Sequence, residues 1–179
     1  MDNFLSLIRF LQLNEFYLHL PIKEKHLMRK FGFYLSQEQM LWPNFSRASL
    51  LWVIAANAIP VGEGKFAKKL LYEALAMAQC PKDICYIHSN LAQIHQDENN
   101  PDYCNHHCHQ ALATGYYNKW AVDTLVSNLI NAGKLEEAKE FCHSILTNDT
   151  YRNDRPKYRQ ILINIETQLK MPVQEHLLP

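Results

Sequence analysis

Apolar residues recur every three to four positions along most of the chain, and no stretch alternates with a period of two. That spacing predicts helices throughout and no sheet, because side chains three and four apart share one helix face. The first helix is expected over 3–19, with Phe4, Leu7, Ile8, Leu11 and Leu18 on one stripe and Asp2 as its cap. Pro21 fits the opening of a second helix over 21–35 that buries Leu27, Met28, Phe31 and Leu35. Residues 36–43 read as a short turn, with Ser36 and Gln39 at capping-box spacing; Pro43 blocks continuation, and Asn44 or Ser46 caps the next helix.

From there the helices come in pairs. The first pairs 47–59 with 65–78 through Val61-Gly62-Glu63-Gly64. The second pairs 83–96 with 101–114 through Asp97-Glu98-Asn99-Asn100, and the third pairs 118–131 with 135–146 through Ala132-Gly133-Lys134. A last helix over 156–171 places Tyr158, Ile161, Leu162, Ile165 and Leu169 on one face, while Arg152, Asp154, Arg155, Lys157, Arg159 and Lys170 keep the other surfaces wet. That suits the end of a stack, where the outer face must tolerate water.

The second and third pairs are in register at 34 residues. Leu91 falls on Leu125, Ala92 on Val126, Cys104 on Ala138, Cys108 on Cys142 and Leu112 on Leu146. The first pair sits 37 residues before the second by its anchors Ala55, Gly62, Ala67, Leu71 and Ala74, so three extra residues fall near 79–83. Fixed-period similarity of this kind marks stacked helix-turn-helix units.

These units resemble tetratricopeptide repeats, most closely at Gly133, Leu135-Glu136-Glu137-Ala138, Cys142 and Ile145, and in the first pair at Gly62, Ala67, Leu71, Ala74 and Leu75. The second pair departs from the family: Cys104 replaces the usual alanine, His95 a usual tyrosine and Asn99 the turn glycine, which Asn can replace because it tolerates the left-handed conformation. The helix-A Trp-Leu-Gly set of the family is missing from all three pairs. The resemblance implies an all-α fold, a right-handed α-α superhelix (a TPR-like solenoid), within a single domain 1–179. Its parts would be an N-terminal helical pair at 1–45, three repeat-like pairs at 47–150 and a C-terminal capping helix at 156–171. By layout alone the chain also resembles the translocator chaperones of type III secretion.

Composition narrows the function classes. Eighteen Lys and Arg balance eighteen Asp and Glu, which disfavours nucleic-acid or anionic-membrane partners, since both need a cationic excess. The basic cluster Lys23, Lys25, Arg29 and Lys30 reads as a solvated helix face. The N-terminal stretch has no basic n-region and no continuous apolar run, so neither a secretory leader nor a membrane span is expected. Five cysteines, an odd number, then read as reduced thiols in a cytoplasmic protein.

Two readings compete at Cys104-Asn-His106-His107-Cys108-His109. Cys104 and Cys108 with a facing His88 or His95 form a conceivable tetrahedral metal set. The repeat register instead puts both cysteines at packing positions, where a free thiol behaves as a small hydrophobe. The packing reading is preferred, with no metal and no cofactor expected. Cys108 beside a histidine is a formal nucleophile pair, but burial argues against it. Gly62-Glu-Gly64-Lys65 follows a helix and is too short for a phosphate loop. No enzyme is expected.

A partner groove is the stronger candidate. The resemblance places the first helix of each pair on a concave surface, which in this register presents Trp52 and Ala56, then Tyr86, Ser89, Asn90 and Gln93, then Trp120, Asp123, Thr124 and Ser127. Aromatic and small polar residues together suit docking of a peptide or helix. The bland alternative, that Trp52 and Trp120 pack against neighbouring helices, stands equally open, because a one-residue register error turns a face by about 100°. The face is expected to carry no basic residue, which disfavours ion-pair capture of a carboxylate tail. The chain thus reads as a non-enzymatic adaptor or chaperone that binds a protein or peptide. The alternative is a self-associating scaffold, with the helices at 4–35 as a homodimer interface.

Overall fold

The computed structural model describes residues 46–170. The expected N-terminal pair, with its basic cluster and its interface, lies outside the described residues, as does 171–179. Among the described residues there is no strand, and seven helices pack against one another. They are α1 (Arg47–Ala58), α2 (Gly64–Met77), α3 (Pro81–Asp97), α4 (Pro101–Ala113), α5 (Lys119–Asn131), α6 (Leu135–Thr147) and α7 (Arg155–Lys170). Short 3-10 segments at Ile59–Val61 and Asp149–Asp154 extend α1 and lead into α7. Every bound falls within about two residues of the one read from apolar spacing, turn residues and prolines. No helix among the described residues is long and apolar enough to cross a membrane.

The helix starts follow local chemistry. Ser46 caps α1 through a capping box with Ser49: each side chain accepts from the other's backbone N–H, at 3.2 and 3.0 Å. Pro81 and Pro101 open α3 and α4, where the missing proline N–H would have had no intrahelical acceptor. The Asn118 side chain caps α5 by accepting from Ala121 N–H at 3.0 Å.

The repeat is visible in backbone hydrogen bonds. Gly62, Asn99 and Gly133 adopt φ of 81°, 54° and 71°. Their N–H groups donate three residues back, to Ile59, Gln96 and Ile130. The next residues, Glu63, Asn100 and Lys134, donate five back, to Ala58, His95 and Leu129. This is one helix-ending motif made three times, at the spacings of 37 and 34 expected from the sequence. Asn99 fills the left-handed site that glycine fills in the other two turns.

The three extra residues are also placed. Residue Ile84 stands 37 after Arg47, so Pro81-Lys82-Asp83 is an added first turn of α3 rather than a longer loop. Each helix packs against the next, and α1 also against α3. The register positions Ala55, Ala67, Leu71, Ala74, Leu91, Ala92, Cys104, Cys108, Leu125, Val126, Ala138, Cys142 and Ile145 are buried, and Leu75, Leu112 and Leu146 are half-buried. Small residues at these crossings let paired helices approach closely.

The buried apolar residues form two clusters. One joins α1, α2 and the Ile87, Leu91 and Ile94 face of α3. The other runs from Cys85 and Ala92 of α3 through α4, α5 and α6 to Tyr158, Leu162 and Ile165 of α7. On α7 the expected stripe is buried at those three positions, with Ile161 half-buried and Leu169 exposed. Two residues expected to be wet are only half-exposed. Asp154 accepts from the Tyr117 hydroxyl, and Arg155 pairs with Asp149 at 2.8 Å.

Candidate partner-binding face

The added turn of α3 supplies the centre of this region. It sets Asp83, which is buried, beside α1, where its carboxylate accepts from Ser49 Oγ at 2.7 Å and from Trp52 Nε1 at 2.9 Å. One turn on, Tyr86 stacks against the Trp52 indole, with centroids 5.0 Å apart and planes 15° from parallel. Tyr116 from the α4–α5 loop then meets Tyr86 at 5.9 Å in a tilted contact. Burial, with Tyr116 alongside, pushes the Tyr86 hydroxyl above its ordinary pKa.

The expected groove residues divide into a supporting layer and a presented one. Trp52 is 7 % exposed and Thr124 is equally buried, so both lie beneath the surface rather than on it. Packing against neighbouring helices therefore describes Trp52, whereas Trp120 is 38 % exposed on the first turn of α5. Ala56, Tyr86, Ser89, Asn90 and Asp123 are half-buried, and Gln93 and Ser127 are exposed. Asn90 turns back on its own helix, donating to the Tyr86 carbonyl at 2.8 Å. Ser89 donates to the Cys85 carbonyl at 2.8 Å and accepts from Asn118 Nδ2, which ties α3 to the start of α5.

Asp123 meets partners that its own helix does not show. Lys157 Nζ lies 2.6 Å from its Oδ1, and the buried Tyr158 hydroxyl donates to the same oxygen at 2.8 Å. Lys119 Nζ is 3.3 Å from Asp154 Oδ1. The expectation of no basic side chain at this face thus fails at α5, because α7 folds back alongside and brings Lys157 with it. Asp154 also holds the Tyr117 hydroxyl at 2.7 Å, which pushes that phenol up to about 12.

Sequence reading missed Asp83, Tyr116, Tyr117 and Asn118. One signal for Asp83 was present: it shares the stripe of Tyr86 and Asn90 at helical spacing. The tyrosines sit in a loop, which has no periodicity to read. A separate cleft of about 350 Å³ is lined by Gln96, Asn99, Asn100, Pro101, Cys104 and Asn128 and shares no residue with this face.

The Cys/His run splits across two sides of α4. Cys104 and Cys108 point into the second apolar cluster. The hydrogen bond between the two thiols, with burial second, pushes Cys108 up, while the same bond, helped by Asn128, holds Cys104 below the ordinary thiol range. His107 faces the other way. Its Nδ1 lies 3.0 Å from His88 Nδ1, and its ring stacks on His95 at 5.4 Å. Cysteines and histidines therefore do not converge, and among the described residues no three His, Cys, Asp or Glu side chains are placed to hold a metal ion. His109 and His106 are exposed. Compared with protein-family models and with curated proteins, the chain matches none.

Proposed function

We propose that this chain is a non-enzymatic interaction module, an adaptor or chaperone of the cytoplasm. Its helix pairs stack as a right-handed, tetratricopeptide-like superhelix and bind a peptide or helical segment of a protein partner. The binding face runs over α3 and α5, with Tyr86, Gln93, Tyr116, Trp120 and Ser127 in contact and Trp52, Asp83 and Asn118 holding them in place.

The observation that carries this reading is the aromatic tier. Tyr116, Tyr117 and Trp120 remain 37–45 % exposed, with Tyr116 resting on the half-buried Tyr86 and Tyr117 held by Asp154 and the buried Tyr151 ring. Rigid aromatics of two side-chain torsions contribute contact area at low entropy cost, and exposed ones with a fixed base are suited to recognition. The thrice-made turn motif supports the repeat architecture behind it.

The test compares affinity capture by the wild-type chain and by a Tyr116→Ser/Trp120→Ser variant, with far-UV circular dichroism as the folding control. Loss of specific partners by a folded variant is the expected outcome. An unchanged set of partners overturns the reading. Trp52 is unsuited to this test, since its removal also damages the support.

A further inference from the structure

The turn register set by Gly62, Asn99 and Gly133 aligns the three helix pairs residue by residue. It places His88 where Leu51 and Val122 stand, His95 where Ala58 and Leu129 stand, and His107 where Leu70 and Phe141 stand. Five of those six apolar residues are buried and Phe141 is half-buried. The α3–α4 pair has thus exchanged three hydrocarbon positions for imidazoles. The fold brings all three together, each at most 8 % exposed.

Their contacts favour the neutral rings. The 3.0 Å approach of His88 Nδ1 to His107 Nδ1 is a hydrogen bond only while one of the two nitrogens accepts. Neither ring nitrogen of His95 has a hydrogen-bond partner, although Nδ1 lies 3.3 Å from Glu98 Oε2. That Glu98 carboxylate is engaged by Lys68 Nζ at 2.7 Å. The groups facing the cluster from α2 are Lys68 and the Tyr72 ring, 6.4 Å from His107. From α4 they are His106 and the Tyr103 ring, which stacks on His95. A proton added here meets the Lys68 ammonium, and little water to solvate it.

We propose that the His88–His95–His107 cluster is an acid-sensitive seam: on mild acidification its protonation parts α3 from α4 and slackens the face that α3 carries. The seam itself is independent of the proposed function; its effect on partner binding rests on that reading.

The sign follows from burial, which lowers the proton affinity of all three rings. For His107 the value falls to about 4, with His88, His106, His95 and Lys68 adding to the loss of hydration. Unfolded histidine titrates near ~6.5, so between roughly pH 6.5 and 4 the unfolded chain binds more protons and stability falls as pH falls. Glu98, whose carboxyl Lys68 holds below the usual carboxylate range, adds to this fall only at the acid end of the window, below the pH values compared next.

The test is urea unfolding of the full chain at about pH 7.5 and about pH 5.5, where each such histidine raises the unfolding constant by up to about tenfold per pH unit. The comparison is His88→Val/His95→Leu/His107→Phe, the side chains that the α5–α6 pair already uses. The expected result is a rise of at least about tenfold for the wild type and under about threefold for the variant. A wild type indifferent to pH over this range, or a variant as sensitive as the wild type, overturns the proposal. NMR titration of the wild-type imidazoles serves if the variant does not fold: ordinary titration midpoints at all three overturn the seam. Near-UV circular dichroism of the Trp52–Tyr86 stack without urea reads the effect on the face. An unchanged signal at acid pH overturns the slackening. Failure of partner capture at both pH values overturns the proposed function instead.

Discussion

The Trp52 indole and the Tyr86 ring lie 5.0 Å apart and nearly parallel, and the indole N–H donates to Asp83, one turn before Tyr86 on the same helix. One residue of α1 is thereby held at both ends by α3. Ring stacking contributes area, and the hydrogen bond satisfies a buried carboxylate that is otherwise costly to bury.

Trp52→Phe keeps a ring against Tyr86 and removes the donor, leaving Asp83 with Ser49. It is expected to cost about 1–3 kcal/mol, the penalty for unpairing a buried charged acceptor. Trp52→Ala adds a cavity and should cost about 3–5 kcal/mol. Urea unfolding at neutral pH checks both, and a Trp52→Phe variant as stable as the wild type would show that the hydrogen bond is immaterial.

The three repeated turns should respond alike to the loss of left-handed freedom. A Cβ at Gly62 or Gly133 meets nothing within 4 Å, so Gly62→Ala and Gly133→Ala carry backbone strain alone. Each is expected to cost about 1 kcal/mol, whereas Asn99→Gly should be near neutral or slightly stabilising. Thermal melts of the three variants decide this, and a large loss at Asn99→Gly would mean that its side chain has a role beyond the turn.

Thiol labelling should sort the cysteines by access. Cys80 is half-buried while Cys85, Cys104, Cys108 and Cys142 are buried. In the native protein an alkylating reagent is expected to reach Cys80 first, with the other four reacting only on unfolding. The Cys104 thiol, although the hydrogen bond from Cys108 makes it more acidic than an ordinary thiol, gains little from that without access. Peptide mapping by mass spectrometry reads the order, and early labelling of Cys104 would point to opening at the neighbouring cleft.

Removing Asp123 is expected to act through α7. Asp123→Ala strips the acceptor from the buried Tyr158 hydroxyl and from Lys157, with an expected loss of about 1–3 kcal/mol, nearly all from the unpaired hydroxyl. Limited proteolysis should then cut first near Asp149–Asp154, the segment that leads into α7. Tyr158→Phe combined with Asp123→Ala should recover part of the loss, since no buried hydroxyl is left unpaired. An unaltered cleavage pattern would rule out this coupling.

Among the described residues, helix number, helix bounds, most anchor positions and the 37 and 34 register were legible from the chain. They depend on local chemistry: apolar spacing, prolines, capping side chains and residues that tolerate positive φ each act within a few residues of themselves. Asn99 shows the strength of that reading, because the register alone demanded a turn there. The candidate face was only partly legible. Tyr86 and Trp120 were named, but Trp52 and Thr124 are buried, Asp123 is occupied by α7, and Tyr116 and Tyr117 lie in a loop without periodicity. Which side of a helix meets a partner, which meets a neighbour and which meets water depends on contacts between residues some thirty positions apart, and one position of register separates those outcomes. Tertiary structure decided the histidines in the same way. In sequence His107 sits beside Cys104 and Cys108, but helical geometry turns it to the opposite side of α4, where His88 and His95 wait 19 and 12 residues upstream.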